Sequence, residues 1–113
     1  AMKKLFISPL MDGKTDEEFL KERKNAIKSA EKILKEPVEV IDLIFQAGSD
    51  TANKPLWFIS ESLKLLSTAD IAYFPKGWEG ARACRVEHAC AVEYGIAVIE
   101  GCKGEKYGTE ENY

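Results

Sequence analysis

Ala69-Asp70-Ile71-Ala72-Tyr73-Phe74-Pro75-Lys76-Gly77-Trp78 opens a segment that runs on through a helical stretch containing Glu87. It closes on Tyr94-Gly95 and the apolar run Ile96-Ala97-Val98-Ile99. Ile71 to Phe74 is too short for a helix and uniformly apolar, as a strand buried on both faces is. Pro75 to Trp78 carries turn chemistry. The run from about Gly80 to Tyr94 has helical spacing, with Gly95 at the position after the last turn where a left-handed residue ends a helix. Strand, turn, helix and strand in this order make a parallel βαβ unit. Glu87 then lies on a helix that follows the carboxyl end of a buried strand, the edge at which open α/β sheets bind ligands.

The pattern extends toward the amino terminus. Leu5-Phe6-Ile7 is a short strand ended by Ser8 and Pro9, and Met11-Asp12-Gly13 makes a turn. Thr15 and Glu18 form a capping box, opening a helix whose apolar stripe comprises Phe19, Leu20, Ala26, Ile27, Ala30, Ile33 and Leu34, interrupted by Arg23. Pro37 stops it, and Val38, Val40 and Ile41 form a second strand. The stretch from Gln46 to Asn53 reads as a loop. Asn53-Lys54-Pro55 is a helix entrance, followed by Leu56, Ile59, Leu63 and Leu66 at helical spacing, with Trp57 and Phe58 broadening the stripe into core or subunit contacts.

The alternation predicts an α/β fold: a small flavodoxin-like or Rossmann-like three-layer sandwich, with a parallel four-stranded sheet in the order 2-1-3-4 and helices on both faces. Residues 2–100 are expected to form one domain. Residues 101–113 are expected to be a tail, either disordered or laid over a neighbouring subunit. Ala1, ahead of Met2, reads as a cloning remnant. With 113 residues the chain buries roughly two-thirds of its unfolded surface, enough for a single core.

Composition narrows the partners. A net charge of -3 argues against a nucleic-acid backbone, which selects a basic face. No apolar run reaches the roughly 18 residues of a membrane span, and no signal-peptide pattern opens the sequence. Cys84, Cys90 and Cys102 are odd in number and fit no zinc spacing, so free thiols and a cytoplasmic location are expected. His88 is the single histidine, without metal partners at motif spacing; a surface or N-cap-region imidazole is its ordinary role. No phosphate loop is present. Neither metal nor cofactor is expected.

The remaining candidate is Glu87. Its helix presents Ala83, Val86, Ala89 and Cys90 as a mainly apolar face, with Cys84, Glu87 and Ala91 as the adjacent stripe. A helix amino terminus favours an ionised carboxylate, and a positioned carboxylate can attack an anomeric carbon. The competing reading is a surface glutamate paired with Arg82, Arg85 or His88.

On these residues the chain resembles the nucleoside 2-deoxyribosyltransferase-like superfamily, and within it a branch of short bacterial and phage proteins. The pattern is Leu5-Phe6-Ile7-Ser8-Pro9-Leu10, then Ala69-Asp70, Gly77-Trp78-Glu79, and Cys84-Arg85-Val86-Glu87-His88 with Ala91 and Tyr94-Gly95-Ile96. The resemblance implies a nucleoside or nucleotide as small-molecule ligand. It also implies a homo-oligomer, dimer or larger, in which a neighbouring subunit completes the crevice. Glu87 falls on the catalytic nucleophile of the active members, and Phe6, Ser8, Pro9, Gly77, Trp78 and Ala81 fall on the substrate-binding crevice. Three positions depart from the active pattern. Phe6 replaces a tyrosine that orients the glutamate, Ser62 an aspartate that handles the leaving base's protons, and Ala81 an aspartate or serine that meets the sugar or a 5′-phosphate. The implied function is therefore cleavage or transfer at an N-glycosidic bond. Its alternatives are a nucleotide-binding module without turnover and an interaction protein with a vestigial pocket. Asp70, at the opposite end of its strand, is assigned a structural role.

Overall fold

A computed structural model of the chain describes residues 2–9, 15–42 and 52–101. The expected Met11-Asp12-Gly13 turn, most of the Gln46–Asn53 loop and all of the tail beyond Gly101 lie outside the described residues. Among the described residues four strands and three helices alternate: β1 (Lys3–Ile7), α1 (Asp16–Leu34), β2 (Val38–Val40), α2 (Lys54–Leu66), β3 (Ile71–Phe74), α3 (Arg82–Glu93) and β4 (Ala97–Glu100). A single 3-10 turn, Trp78–Gly80, leads into α3. The sheet is parallel throughout and ordered β2-β1-β3-β4, the flavodoxin-like order expected from the alternation.

The pleat divides the core between two layers. Leu5, Ile71, Tyr73 and Ile99 face α1 and pack on Ala26 and Ala30. Phe6, Ala72 and Phe74 face the other way and pack on Leu66 of α2 and Ala91 of α3. All four residues of β3 are buried, because a central strand covered on both faces has no polar side.

Local signals set the element ends. Thr15 and Glu18 make the reciprocal capping box at α1. The Asn53 side chain accepts from the Leu56 amide at α2. Gly95, with φ 77°, follows α3 in the left-handed conformation that glycine takes freely. Asp70 closes the far end of the sheet: its carboxylate accepts from the Lys4 amide and its own amide donates to the Lys4 carbonyl, each at 2.8 Å. This is the structural role expected of it. Gly101 extends the β3–β4 ladder by donating to the Phe74 carbonyl at 2.7 Å. A Cβ there would stand 2.6 Å from the Tyr73 hydroxyl, so the approach of backbone to phenol requires glycine.

Three expectations are corrected. The buried stripe of α1 is narrower than its apolar pattern: Leu20 is 61% exposed and Ile33 is also exposed, while Ser29 is buried. On α2 only Ser62 and Leu66 are fully buried, and Leu56 and Phe58 face outward. On α3 the face turned to the sheet is Cys84, Glu87 and Ala91, whereas Val86 and Ala89 are exposed. On α1 the small residues Ala26, Ser29 and Ala30 make the closest approach to the sheet, and the larger Leu20 and Ile33 are displaced from it.

Candidate functional site

Three elements converge on the Glu87 carboxylate. Alternation along β1 puts Ser8 on the same side of the sheet as Phe6, facing α2 and α3. The Ser8 amide donates to the Tyr73 carbonyl at 2.9 Å, which extends the β1–β3 pairing one residue beyond the strand and fixes Ser8 at its carboxyl edge. Ser62 lies one turn before Leu66 on the buried face of α2. Glu87 lies between Cys84 and Ala91 on the buried face of α3. The Ser8 hydroxyl donates to Glu87 Oε1 at 2.6 Å and the Ser62 hydroxyl donates to Glu87 Oε2 at 2.5 Å. Both carboxylate oxygens are thus occupied by buried hydroxyl donors.

Glu87 is 1% exposed. Burial pushes its carboxyl above the usual 4.5, and the hydroxyls of Ser62 and Ser8 pull it back only in part. A helix amino terminus is expected to favour its ionised form; the net shift runs the other way, because loss of hydration outweighs the hydroxyl donors. The surface-pair reading is also overturned. Arg85 donates to the Glu79 carbonyl at 2.8 Å, and His88 Nε2 meets Glu100 Oε2 at 2.7 Å.

Two consequences can be measured. A carboxyl raised in the fold binds its proton more tightly there than in the unfolded chain. The folded state therefore holds more protons from about pH 4.5 upward, and stability falls as pH rises until Glu87 has ionised in the fold. Urea unfolding at stepped pH should show this slope, and Glu87→Gln should remove its part of it. Ser62→Ala removes one donor to a charged acceptor and should cost about 1.5–3 kcal/mol at neutral pH. Because the lost bond favours the ionised form, the deficit should shrink as the solution is acidified and Glu87 becomes neutral.

The other expected site residues are distributed around this point. Phe6 is fully buried among Leu66, Ala72, Phe74 and Ala91. Ser8 and Pro9 also line a hollow of about 240 Å³ walled by Phe19, Arg23, Ile41 and Asp42, toward α1. Ala81 lines a broader depression of about 690 Å³ between the amino-terminal ends of α2 and α3, with Asn53, Leu56, Arg82 and Val86. Gly77 is exposed and turns the chain with φ 95°. Trp78 is half-buried, its ring stacked on His88 with centroids 4.0 Å apart and planes 15° from parallel. Glu87 lines neither hollow. The structure thus joins Ser8 to Glu87 directly and places Pro9, Gly77, Trp78 and Ala81 in two loops around the same edge of the sheet.

Sequence reasoning missed Ser62 as a partner of Glu87 and His88 as a partner of Trp78. Ser62 had a signal: a serine four residues before a buried leucine on an otherwise apolar helix stripe needs an acceptor once buried. Among the described residues no cluster of three metal-ligating side chains occurs, and no described helix is long and apolar enough to cross a membrane. Comparison with protein-family models, curated proteins and solved structures gives no match.

Proposed function

We propose that this chain breaks or transfers the N-glycosidic bond of a nucleoside or nucleotide, with Glu87 as nucleophile. The observation that carries the reading is the anchoring of one buried carboxylate by Ser8 and Ser62 at the carboxyl edge of β1. That edge adjoins the β1/β3 switch point, where chain connections depart to opposite sides and open sheets leave a crevice. Poor hydration makes the ionised carboxylate a more reactive base and nucleophile than one in water.

In the reaction, one Glu87 oxygen leaves its serine and bonds to C1′ of the sugar. The C1′–N bond breaks, its electron pair leaves on the base, and solvent protonates the base. Water or a second base then attacks C1′ and gives up its proton to solvent, the ester oxygen departs with its electrons, and the carboxylate is restored. Ser8 and Ser62 hold the group before and after the step. Pro9, Gly77, Trp78 and Ala81 border the substrate. A second copy of the chain against the exposed Leu56 and Val86 would complete the wall beside Ala81.

A second reading rests on a specific observation: both Glu87 oxygens are occupied, and Phe6 brings no hydroxyl to reorient them. In that reading the crevice holds a nucleotide and leaves it intact. Incubation with a panel of deoxynucleosides and nucleotides, followed by chromatography of free base, decides between them. Release above that of Glu87→Gln supports turnover. Calorimetric binding with the ligand recovered whole supports the binding module.

A further inference from the structure

We propose that His88, Trp78 and Glu100 form a proton-operated latch that holds the turn between β3 and α3. This turn carries Gly77 and Trp78 along the same sheet edge as Glu87, and α3 grips it at two points one turn apart. Arg85 donates to the Glu79 carbonyl, and the His88 ring lies flat against Trp78. Phe74 supports the stack from β3, edge-on to His88 at 5.0 Å and tilted to Trp78 at 5.8 Å. Glu100 of β4 stands 2.7 Å from His88 Nε2.

Both of the imidazole's contacts respond to its proton. Uncharged, the ring stacks on the indole as one aromatic on another, and an Nε2–H tautomer donates to the Glu100 carboxylate as a neutral donor. Charged, it becomes a cation over an indole face, the ring type that binds cations best. Its bond to Glu100 then becomes an ion pair, with opposite charges on both partners. The elements packed against it carry Glu100 on β4, Lys76 and Glu79 in the turn, and Cys84, Arg85, Glu87, Cys90 and Glu93 on its own helix. Arg85 is turned to the Glu79 carbonyl and Glu87 to the two serines, so Glu100 is the partner left to sense the imidazole. The grip is firm while His88 carries its proton and slackens as rising pH removes it. The latch stands independently of any catalytic role for Glu87.

The turn's own amides report the grip: Trp78 donates to the Pro75 carbonyl and Gly80 to the Gly77 carbonyl. Their hydrogen exchange, followed by NMR and corrected for the intrinsic effect of pH, should lose about threefold to tenfold in protection between about pH 5 and pH 8, the scale of a cation–π contact. The Ser8 amide, inside the ladder, serves as reference for global opening. His88→Phe keeps an aromatic ring on Trp78 without a proton, so its turn should show the same protection at both pH values. Glu100→Gln should at least halve the native change. A pH-independent native turn, an undiminished change in His88→Phe or a full change in Glu100→Gln would overturn the latch.

Discussion

Glu87→Gln is expected to reduce base release from the responsive nucleoside or nucleotide by roughly three orders of magnitude or more, the scale lost when a nucleophile is removed. The substitution suits the question because it preserves shape. A glutamine carbonyl still accepts from one serine, and its amide nitrogen can donate to the other hydroxyl, which accepts as readily as it donates. Folding, oligomeric state and ligand affinity should therefore remain close to those of the native chain, so that loss of turnover is assigned to chemistry. A native rate no greater than that of Glu87→Gln would remove the transferase or hydrolase reading. The binding module would then stand or fall on calorimetry.

Glu87→Ala is expected to act on the fold itself. It takes the acceptor from two buried hydroxyls, each worth about 1–3 kcal/mol when left unsatisfied, and opens a void among Ser8, Ser62 and Cys84. Relief of a buried charge offsets part of this loss, because burial has already raised the Glu87 carboxyl. The net cost should be about 2–4 kcal/mol against a total stability of roughly 5–15 kcal/mol for a domain. Urea unfolding of Glu87→Ala and Glu87→Gln side by side measures it. Equal stability of the two would mean that the serines find other partners and that the three-element junction contributes nothing to the fold.

The difference between these substitutions clarifies what Glu87 is. A carboxylate present only for packing is replaced by glutamine or by an apolar residue without consequence for chemistry. One that orders two serines at a ligand-binding edge is tolerant of glutamine in stability and intolerant of it in activity. The pH slope separates them further, since only the ionisable residue transmits proton binding to the fold.

The faces that carry Ser8, Ser62 and Glu87 were legible because they follow from periodicity. Period 2 along Leu5 to Ser8 and period 3.6 along Cys84, Glu87 and Ala91 name the faces on which these residues fall. Ser62 shares a helix face with Leu66 by the same spacing. Periodicity does not say which of two neighbouring helix faces meets the sheet. On α3 the larger residue Val86 suggested one face, and close approach to Phe6 and Phe74 selected the face with Cys84 and Ala91 instead. His88 was unreadable for a related reason: its partners Trp78 and Glu100 belong to different elements, and only the return of β4 beside β3 brings them together.

From its residues alone, this chain was bound to be a parallel α/β sheet in the order 2-1-3-4. Short apolar runs, capping residues and turn glycines are local properties, and right-handed crossovers leave few ways to connect them. Whether Glu87 would be a solvated surface charge or a buried group with two hydroxyl donors was settled only by the tertiary structure. Hydration and hydrogen bonding depend on what surrounds the carboxylate in space, and here that is β1, α2 and α3, contributed from positions far apart along the chain.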